Sequence, residues 1–176
     1  MNTSSQFVIA THILVTIAIR QILASEKRVM NSDSLAVTVN TNPVVIRRTI
    51  GLLKKAKLVL SQSGPKGGAV LAMEAKDITL ANVYQAVENV PLFHMHYWVP
   101  NQRCPVGKNL QASLCSVFEE AQNAMNKTLN KKTIYEIAQS IMDCSVIAEK
   151  IAEGITPIQI DEMINAEYAK MCKKNF

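Results

Sequence analysis

Residues 32–72 read SDSLAVTVNTNPVVIRRTIGLLKKAKLVLSQSGPKGGAVLA, and this stretch decides the predicted fold. The pair Ser32-Asp33 offers an N-cap for a short helix, and Asn40-Thr41 forms the turn that follows it. Asn42 caps a second helix, with Pro43 at its first position, where the missing N–H costs nothing. The spacing therefore predicts a helix-turn-helix.

The start of the second helix carries an unusual set of exposed side chains. The helix runs to about Lys55 and buries a stripe at three- and four-residue spacing. Val44, Val45, Arg47 and Arg48 then point outward. A helix that enters the major groove of DNA places such residues against base edges, where arginine binds guanine and valine touches a thymine methyl. The alternative is an ordinary basic surface helix.

A glycine-rich hairpin follows the second helix. The β runs 58–62 and 69–72 flank the loop 63–68, which lacks the spacing and the Lys-Ser/Thr ending of a nucleotide-binding loop. Its glycines let the tip approach a nucleic-acid backbone, where polar and basic side chains contact phosphate. The predicted DNA-binding residues are Ser32, Asn42, Val44, Val45, Arg47, Arg48, Lys54, Ser63 and Lys66.

The charge distribution agrees with this interpretation. The 176-residue chain has a net charge of +5, but residues 1–76 hold 10 Lys and Arg against 3 Asp and Glu, and residues 77–176 hold 9 against 11. The basic half is the half with the helix-turn-helix pattern, as binding to phosphates requires. An ordinary solvated surface is the alternative, since charge asymmetry alone is common.

A long helix is predicted from about Val106 to Leu129. Its apolar residues recur every three or four positions over more than five turns, which favours packing against the same helix of a second copy over a bundle core within one chain. The predicted dimerisation residues are Leu110, Leu114, Val117, Phe118, Ala121 and Met125. Two more helices are predicted, 134–142 after Thr133 and a final one over 157–173.

The predicted fold class is mainly α with a small β-hairpin wing: a winged helix-turn-helix plus a long dimerisation helix. The predicted division is a DNA-binding domain over 1–90, a loop and dimerisation helices over 91–145, and a helical extension over 146–176.

Other classes of protein are disfavoured. The apolar run 7–19 has no preceding basic residue and is too short and too interrupted to span a membrane. The four cysteines are widely separated, without a C-x-x-C pair, which indicates neither a disulfide framework nor a structural zinc site. We therefore expect a cytoplasmic protein with no membrane partner. No catalytic constellation accompanies the three histidines, so we do not expect an enzyme.

The chain resembles the Rrf-two family of bacterial winged-helix transcriptional regulators over roughly residues 5–145. The resemblance rests on the order of several motifs: NPVVIRR at 42–48, Gly64-x-x-Gly67-Gly68, ITL at 78–80, Tyr84-x-Ala86-Val87-Glu88, PNxxCPVG at 100–107 and AQxAM at 121–125. It implies a homodimer that binds palindromic operators in double-stranded DNA and represses or activates nearby genes. It also implies a recognition helix at 42–55 and a wing at 61–68. Lys57 departs from the family pattern, which commonly has glycine there.

The larger departure concerns the sensor. Cluster-binding members of this family carry three closely spaced cysteines before the long helix, whereas this chain has only Cys104 there and Cys115 inside the helix. Because iron–sulfur clusters are usually held by several Cys thiolates, no cofactor is expected.

Three interpretations of the sensor remain. Cys104 lies near a helix N-terminus between Arg103 and Lys108, the setting of a reactive thiol, so it is the sensor candidate; a packed loop cysteine is the alternative. Cys115 is predicted to be buried. His94 and His96 with Cys104 form a weaker metal hypothesis without a fourth ligand. The sequence identifies no effector, and the alternative function is a winged-helix module that binds a partner protein.

Overall fold

Over the residues that the structure describes, the chain is mainly helical with one small antiparallel sheet, which confirms the predicted fold class. We describe a computed structural model of the protein over residues 5–24, 29–62, 64, 67–88, 91–95 and 97–143. The elements are α1 (Ser5–Ala24), α2 (Ser32–Val39), α3 (Pro43–Lys55), β1 (Val59–Gln62), β2 (Gly68–Leu71), a 3-10 turn (Ala75–Asp77), α4 (Leu80–Val87), α5 (Pro105–Asn130) and α6 (Ile134–Asp143). The helix predicted over 157–173 lies outside the described residues.

Helix α1 lies at the centre of the core. Its buried side contacts α2, α3, α4, α6 and β2. The stretch Ser5–Leu23 is long and apolar enough, by length and composition, to cross a membrane. The expectation that the apolar segment is too short to span a membrane is therefore wrong, because α1 extends beyond the run 7–19 at both ends. Five of its core residues are at most 1% exposed: Ala10, Ile13, Leu14, Ile17 and Ala18.

The helix-turn-helix forms as the capping residues predict, with one correction. Asn31, not the Ser32-Asp33 pair, caps α2: its side-chain oxygen accepts a hydrogen bond of 2.7 Å from the Ser34 backbone N–H. Because Asn31 takes this role, the next two side chains remain available to α3. Asn40 ends α2 in the left-handed conformation, φ 54°. Asn42 caps α3 as predicted, accepting from the Val44 N–H at 2.8 Å.

The wing is a two-stranded hairpin held to the body by a third segment. Strand β1 pairs with β2 in antiparallel register, Val59 opposite Leu71 and Gln62 opposite Gly68. Met30 extends this sheet on the other side of β2, exchanging backbone hydrogen bonds of 3.0 and 2.8 Å with Ala69. The segment before α2 therefore fixes the position of the wing relative to the helix-turn-helix.

Lys57, between α3 and β1, has φ 60° and so occupies the left-handed region. This explains why glycine suits the position, since a Cβ atom is unfavourable there. We expect Lys57→Gly to stabilise the protein by about 0.5–1 kcal/mol, the relief of strain being partly offset by the flexibility of glycine in the unfolded chain. Urea unfolding measures this. Asn40→Gly is the matched control and should be nearly neutral, because asparagine tolerates this conformation; a lower stability of Lys57→Gly would contradict the explanation.

The segment between α5 and α6 contacts the start of α4 through backbone hydrogen bonds. Thr79 and Asn82 form a capping box at α4, and Thr133 and Glu136 exchange the equivalent hydrogen bonds at α6. The hydrogen bond from the Thr133 N–H lowers the pKa of Glu136. The bridge between Thr79 and Thr133 joins the two helix starts, and Ile134 and Ala138 of α6 are buried in the core.

Candidate nucleic-acid interface

Helix α3 has one buried face and one exposed face. Successive residues are about 100° apart around a helix, so Ile46, Ile50 and Leu53 share the side that packs on the core. None of the three is more than 9% exposed. On the opposite side, the Val44 side chain is 63% exposed and Arg48 is exposed. The predicted division between a buried stripe and an outward-facing start of the helix is confirmed.

Arg47 is tied to the start of α2. Its Nε donates a hydrogen bond of 3.1 Å to the Ser32 hydroxyl, and its Nη2 donates to Asp33 Oδ1 at 3.2 Å. Both side chains of the Arg47–Asp33 ion pair are exposed, so the pair adds little stability in water. The pair instead fixes the direction of the Arg47 side chain, because one edge of its guanidinium is already bound to Ser32 and Asp33.

Arg48 lies next to this pair and is differently placed. Among the described residues it takes part in no hydrogen bond or ion pair. Its five donors therefore face solvent, where they are available to a carboxylate, a phosphate or a guanine edge. The two arginines, equivalent in the sequence pattern, are thus distinguished by the structure.

The basic end of α3 lies beside the wing. The Lys54 ammonium donates to the backbone oxygen of Ser61 in β1 at 3.5 Å. Lys55 and Lys57 are exposed nearby. Exposed basic residues therefore lie at both ends of α3, at its start and beside the hairpin, and such residues are suited to contact a nucleic-acid backbone.

The structure brings together Ser32 with Arg47, and Lys54 with β1. Asn42, predicted to contact DNA, uses its side-chain oxygen as the α3 cap. Ser63 and Lys66 lie outside the described residues. Asp33 is the residue that sequence reasoning missed as a member of this site. The sequence does show an acidic residue in the first turn of α2 and two arginines in α3. It does not show that they meet, because Asp33 and Arg47 are 14 positions apart.

The family described as "Rrf2: Iron-dependent Transcriptional regulator" matches residues 3–140. The chain belongs to the Rrf2 family. It is 42% identical over 135 residues to a Bacillus subtilis (strain 168) protein named as HTH-type transcriptional regulator YwnA, covering 76% of this chain and 95% of that protein. A crystal structure of a protein described as DNA-binding is 39% identical, with a TM-score of 0.60, and covers 76% of this chain and 98% of that one. The structure of CymR, the global cysteine regulator of B. subtilis, has a TM-score of 0.59 at 18% identity, covering 80% and 98% of the two chains, which shows a shared fold.

The protein is therefore a transcriptional regulator of the Rrf2 family with a DNA-binding fold, and not an enzyme. The matched region includes the helix-turn-helix, the wing and α5. The predicted family and fold class are confirmed.

The family description names iron, and an iron–sulfur cluster needs several Cys thiolates that converge on one position. Cys104 and Cys115 are both exposed, but they are eleven residues apart on α5, about 16 Å along the helix axis. Within the described residues no group of three His, Cys, Asp or Glu side chains converges on a metal position. The described residues of the chain therefore do not provide the ligands of an iron–sulfur cluster.

Cys104 occupies the N-cap position of α5. Its N–H donates to the Asn101 backbone oxygen at 3.1 Å, its own carbonyl accepts from Lys108, and its thiol makes no capping hydrogen bond. Gly107 allows this arrangement, because a Cβ atom there would lie 2.5 Å from the Asn101 oxygen. Cys104 lies at the start of the long helix, as the sequence predicts, and it is exposed rather than packed.

Cys115 is exposed, so the prediction that it is buried is wrong. Cys115 is not an exception, because the described elements that contact α5 leave every one of its residues at least partly exposed. Its thiol donates a hydrogen bond of 3.7 Å to Glu119 Oε1, one turn further along α5.

Helix α5 leaves apolar side chains uncovered. Val106, Leu110 and Val117 are 65%, 38% and 55% exposed. Phe118, by contrast, stacks on Phe93 of the same chain, with ring centroids 4.7 Å apart. The remaining predicted dimerisation residues are partly exposed: Leu114, Ala121 and Met125.

Proposed function

We propose that this protein is a sequence-specific DNA-binding repressor that acts as a homodimer on a palindromic operator in the cytoplasm. The observation that carries the proposal is the exposed start of α3, where two valines and two arginines are exposed on a helix whose other end carries the exposed Lys54 and Lys55. Such a helix suits the major groove, whose base edges distinguish all four base pairs.

The DNA-binding residues divide by the contact each can make. Arg48 and Val44, on the outward face of α3, are suited to base edges. Lys54 and Ser32, at the margins of that face, are suited to phosphates, which position the protein without reading sequence. Ser63 and Lys66 of the wing tip are proposed as further phosphate contacts.

The experiment that tests this proposal is binding of the purified protein to a fluorescent duplex from upstream of its own gene, at increasing salt. We expect the logarithm of affinity to fall linearly with the logarithm of salt concentration, at about 0.9 per phosphate contact. A scrambled duplex is the control and should bind more weakly. A flat salt dependence, or equal binding of both duplexes, would replace the proposal with a winged-helix module that binds a partner protein.

The proposed dimer is formed through α5. Its Val106, Leu110 and Val117 lie on one side of the helix and are left uncovered within one chain. Exposed apolar stripes of this kind mark sites of association. A twofold dimer would present its two α3 helices to half-sites about one DNA turn apart, which is why the operator is proposed to be palindromic.

Val117→Glu is expected to convert this dimer into a monomer, because it introduces two carboxylates into an apolar contact. Sedimentation equilibrium measures the change. Ser116→Glu, the adjacent exposed position on α5, is the matched control and should remain dimeric. Since Val117 is 55% exposed within one chain, the helical circular dichroism spectrum of the variant should be retained. A dimer that survives Val117→Glu would exclude this stripe as the interface.

A thiol response is proposed for Cys104, whose sulfur is exposed at the N-terminus of α5. An exposed thiol is accessible to oxidants, and its oxidation to a disulfide is reversed by a reductant. We expect diamide to release the protein from operator DNA and a reductant to restore binding, and Cys104→Ser to abolish the response. Cys115→Ser is the control. Release by diamide in the Cys104→Ser variant would assign the response to another thiol.

A further inference from the structure

A cavity lies between α5 and the segment 91–95 that follows α4. Its volume is about 420 Å³, within the range of small-molecule sites. Its apolar walls are Leu92, Phe93, Met95 and Phe118. The Phe93 and Phe118 rings stack with an angle of 22° between their planes, which holds the segment against the helix.

The polar side of this cavity carries a single charge. Gln122 is occupied, because its Oε1 accepts the Leu92 N–H at 2.9 Å and fixes the segment. Cys115 donates its thiol proton towards Glu119. Among the described residues that line the cavity, the Glu119 carboxylate is the one full charge, and no lysine or arginine faces it.

We propose that this cavity binds an apolar organic cation, such as an aromatic ammonium or phosphonium compound. A carboxylate beside two aromatic rings attracts a cation through its charge, and the ring faces that the stacking leaves open add to the attraction. The four apolar walls add contact area for the body of the cation. An organic anion would meet the Glu119 carboxylate with no lysine or arginine among the described lining residues to compensate the repulsion.

The site is separate from the proposed dimer contact. At about 100° per residue, Cys115, Glu119 and Gln122 lie on the side of α5 opposite to Val106 and Val117. A second copy that covers the valines therefore leaves the polar side of the cavity open. The binding of a cation depends on neither the dimer nor DNA binding, so it can fail or succeed independently of the proposed function.

The test uses two fluorescent dyes of similar shape, rhodamine 6G, which is a cation, and rhodamine B, which carries an additional carboxylate and is a zwitterion at neutral pH. Binding to the full chain is followed by fluorescence anisotropy. The protein has a net charge of +5, so non-specific attraction does not favour the cationic dye. We expect rhodamine 6G to bind about tenfold more tightly than rhodamine B, which corresponds to one charge interaction.

Two substitutions assign the effect to this cavity. Glu119→Gln should remove the preference for the cation, whereas Glu120→Gln, the neighbouring exposed carboxylate outside the cavity lining, should leave it unchanged. Phe93→Ala should weaken both dyes, because it removes one apolar wall from a loop position without a core role. Equal affinity for the two dyes, no binding of either dye, or an unchanged preference in Glu119→Gln would each overturn the proposal. Thermal unfolding of each variant shows whether it is folded.

Discussion

Replacing Gly68 with alanine is expected to destabilise the protein by about 2–3 kcal/mol, because the new methyl group has no space. A Cβ atom at this position would lie 2.6 Å from the Met30 carbonyl oxygen and 2.7 Å from its carbon. Both atoms belong to the backbone of the segment that pairs with β2, so the clash cannot be relieved by rotating a side chain. The hairpin must move away from Met30, at the cost of the two hydrogen bonds between Met30 and Ala69.

Thermal unfolding measures this effect, which should lower the midpoint by about 5–10 °C. Gly51→Ala is the matched control, because nothing lies within 4 Å of the Cβ atom it adds. That substitution should instead stabilise the protein by about 0.5–1 kcal/mol, since alanine is the better helix former. Replacing glycine with alanine is therefore expected to lower the stability at position 68 and to raise it at position 51. A destabilisation of similar size in both variants would show that the contact with Met30 is not the cause.

The elements could be predicted from sequence where a local rule decides them. Asn42, Thr79 and Asn82 act in caps because their side chains reach backbone groups two or three residues away. Where several neighbours satisfy the same rule, it does not choose between them. Asn31, Ser32 and Asp33 are all good capping residues, and the choice of Asn31 follows from the contacts that the other two make with Arg47.

Burial on α5 was harder to predict, for a different reason. The apolar period of α5 correctly predicts a helix, but burial depends on what packs against each side. Cys115 faces a cavity, whereas Phe118 is covered by Phe93, a contact between positions 25 residues apart. The candidate DNA-binding face was predictable because exposed valines and arginines depend on helical period alone. The tie between Arg47 and Asp33 was not, because it depends on the angle between two helices.

That tie leads to the second large effect, which concerns DNA recognition. Arg48→Ala is expected to weaken binding to the operator by about 1–3 kcal/mol and to relax specificity at one base pair, because a free guanidinium is suited to a guanine edge. Arg47→Ala is expected to cost less, about 1 kcal/mol or below, because one edge of its guanidinium is already bound to Ser32 and Asp33. Anisotropy titrations against the operator and against single base-pair variants measure both quantities.

Asp33→Asn provides the matched test of this difference. It removes a negative charge from the proposed DNA-binding surface and releases Arg47, so we expect tighter binding to all sequences and a salt dependence steeper by about one phosphate contact. In the Asp33→Asn background, Arg47→Ala should cost more than in the wild type, and the difference is the coupling energy of the pair.

The opposite result has a distinct physical meaning. If Asp33→Asn weakens binding, and Arg47→Ala costs as much as Arg48→Ala, then Asp33 holds Arg47 in the direction needed to read a base, and fixing that direction outweighs the repulsion between its carboxylate and the phosphates. The sign of the Asp33→Asn effect therefore decides whether the Arg47–Asp33 pair withholds an arginine from DNA or aims it.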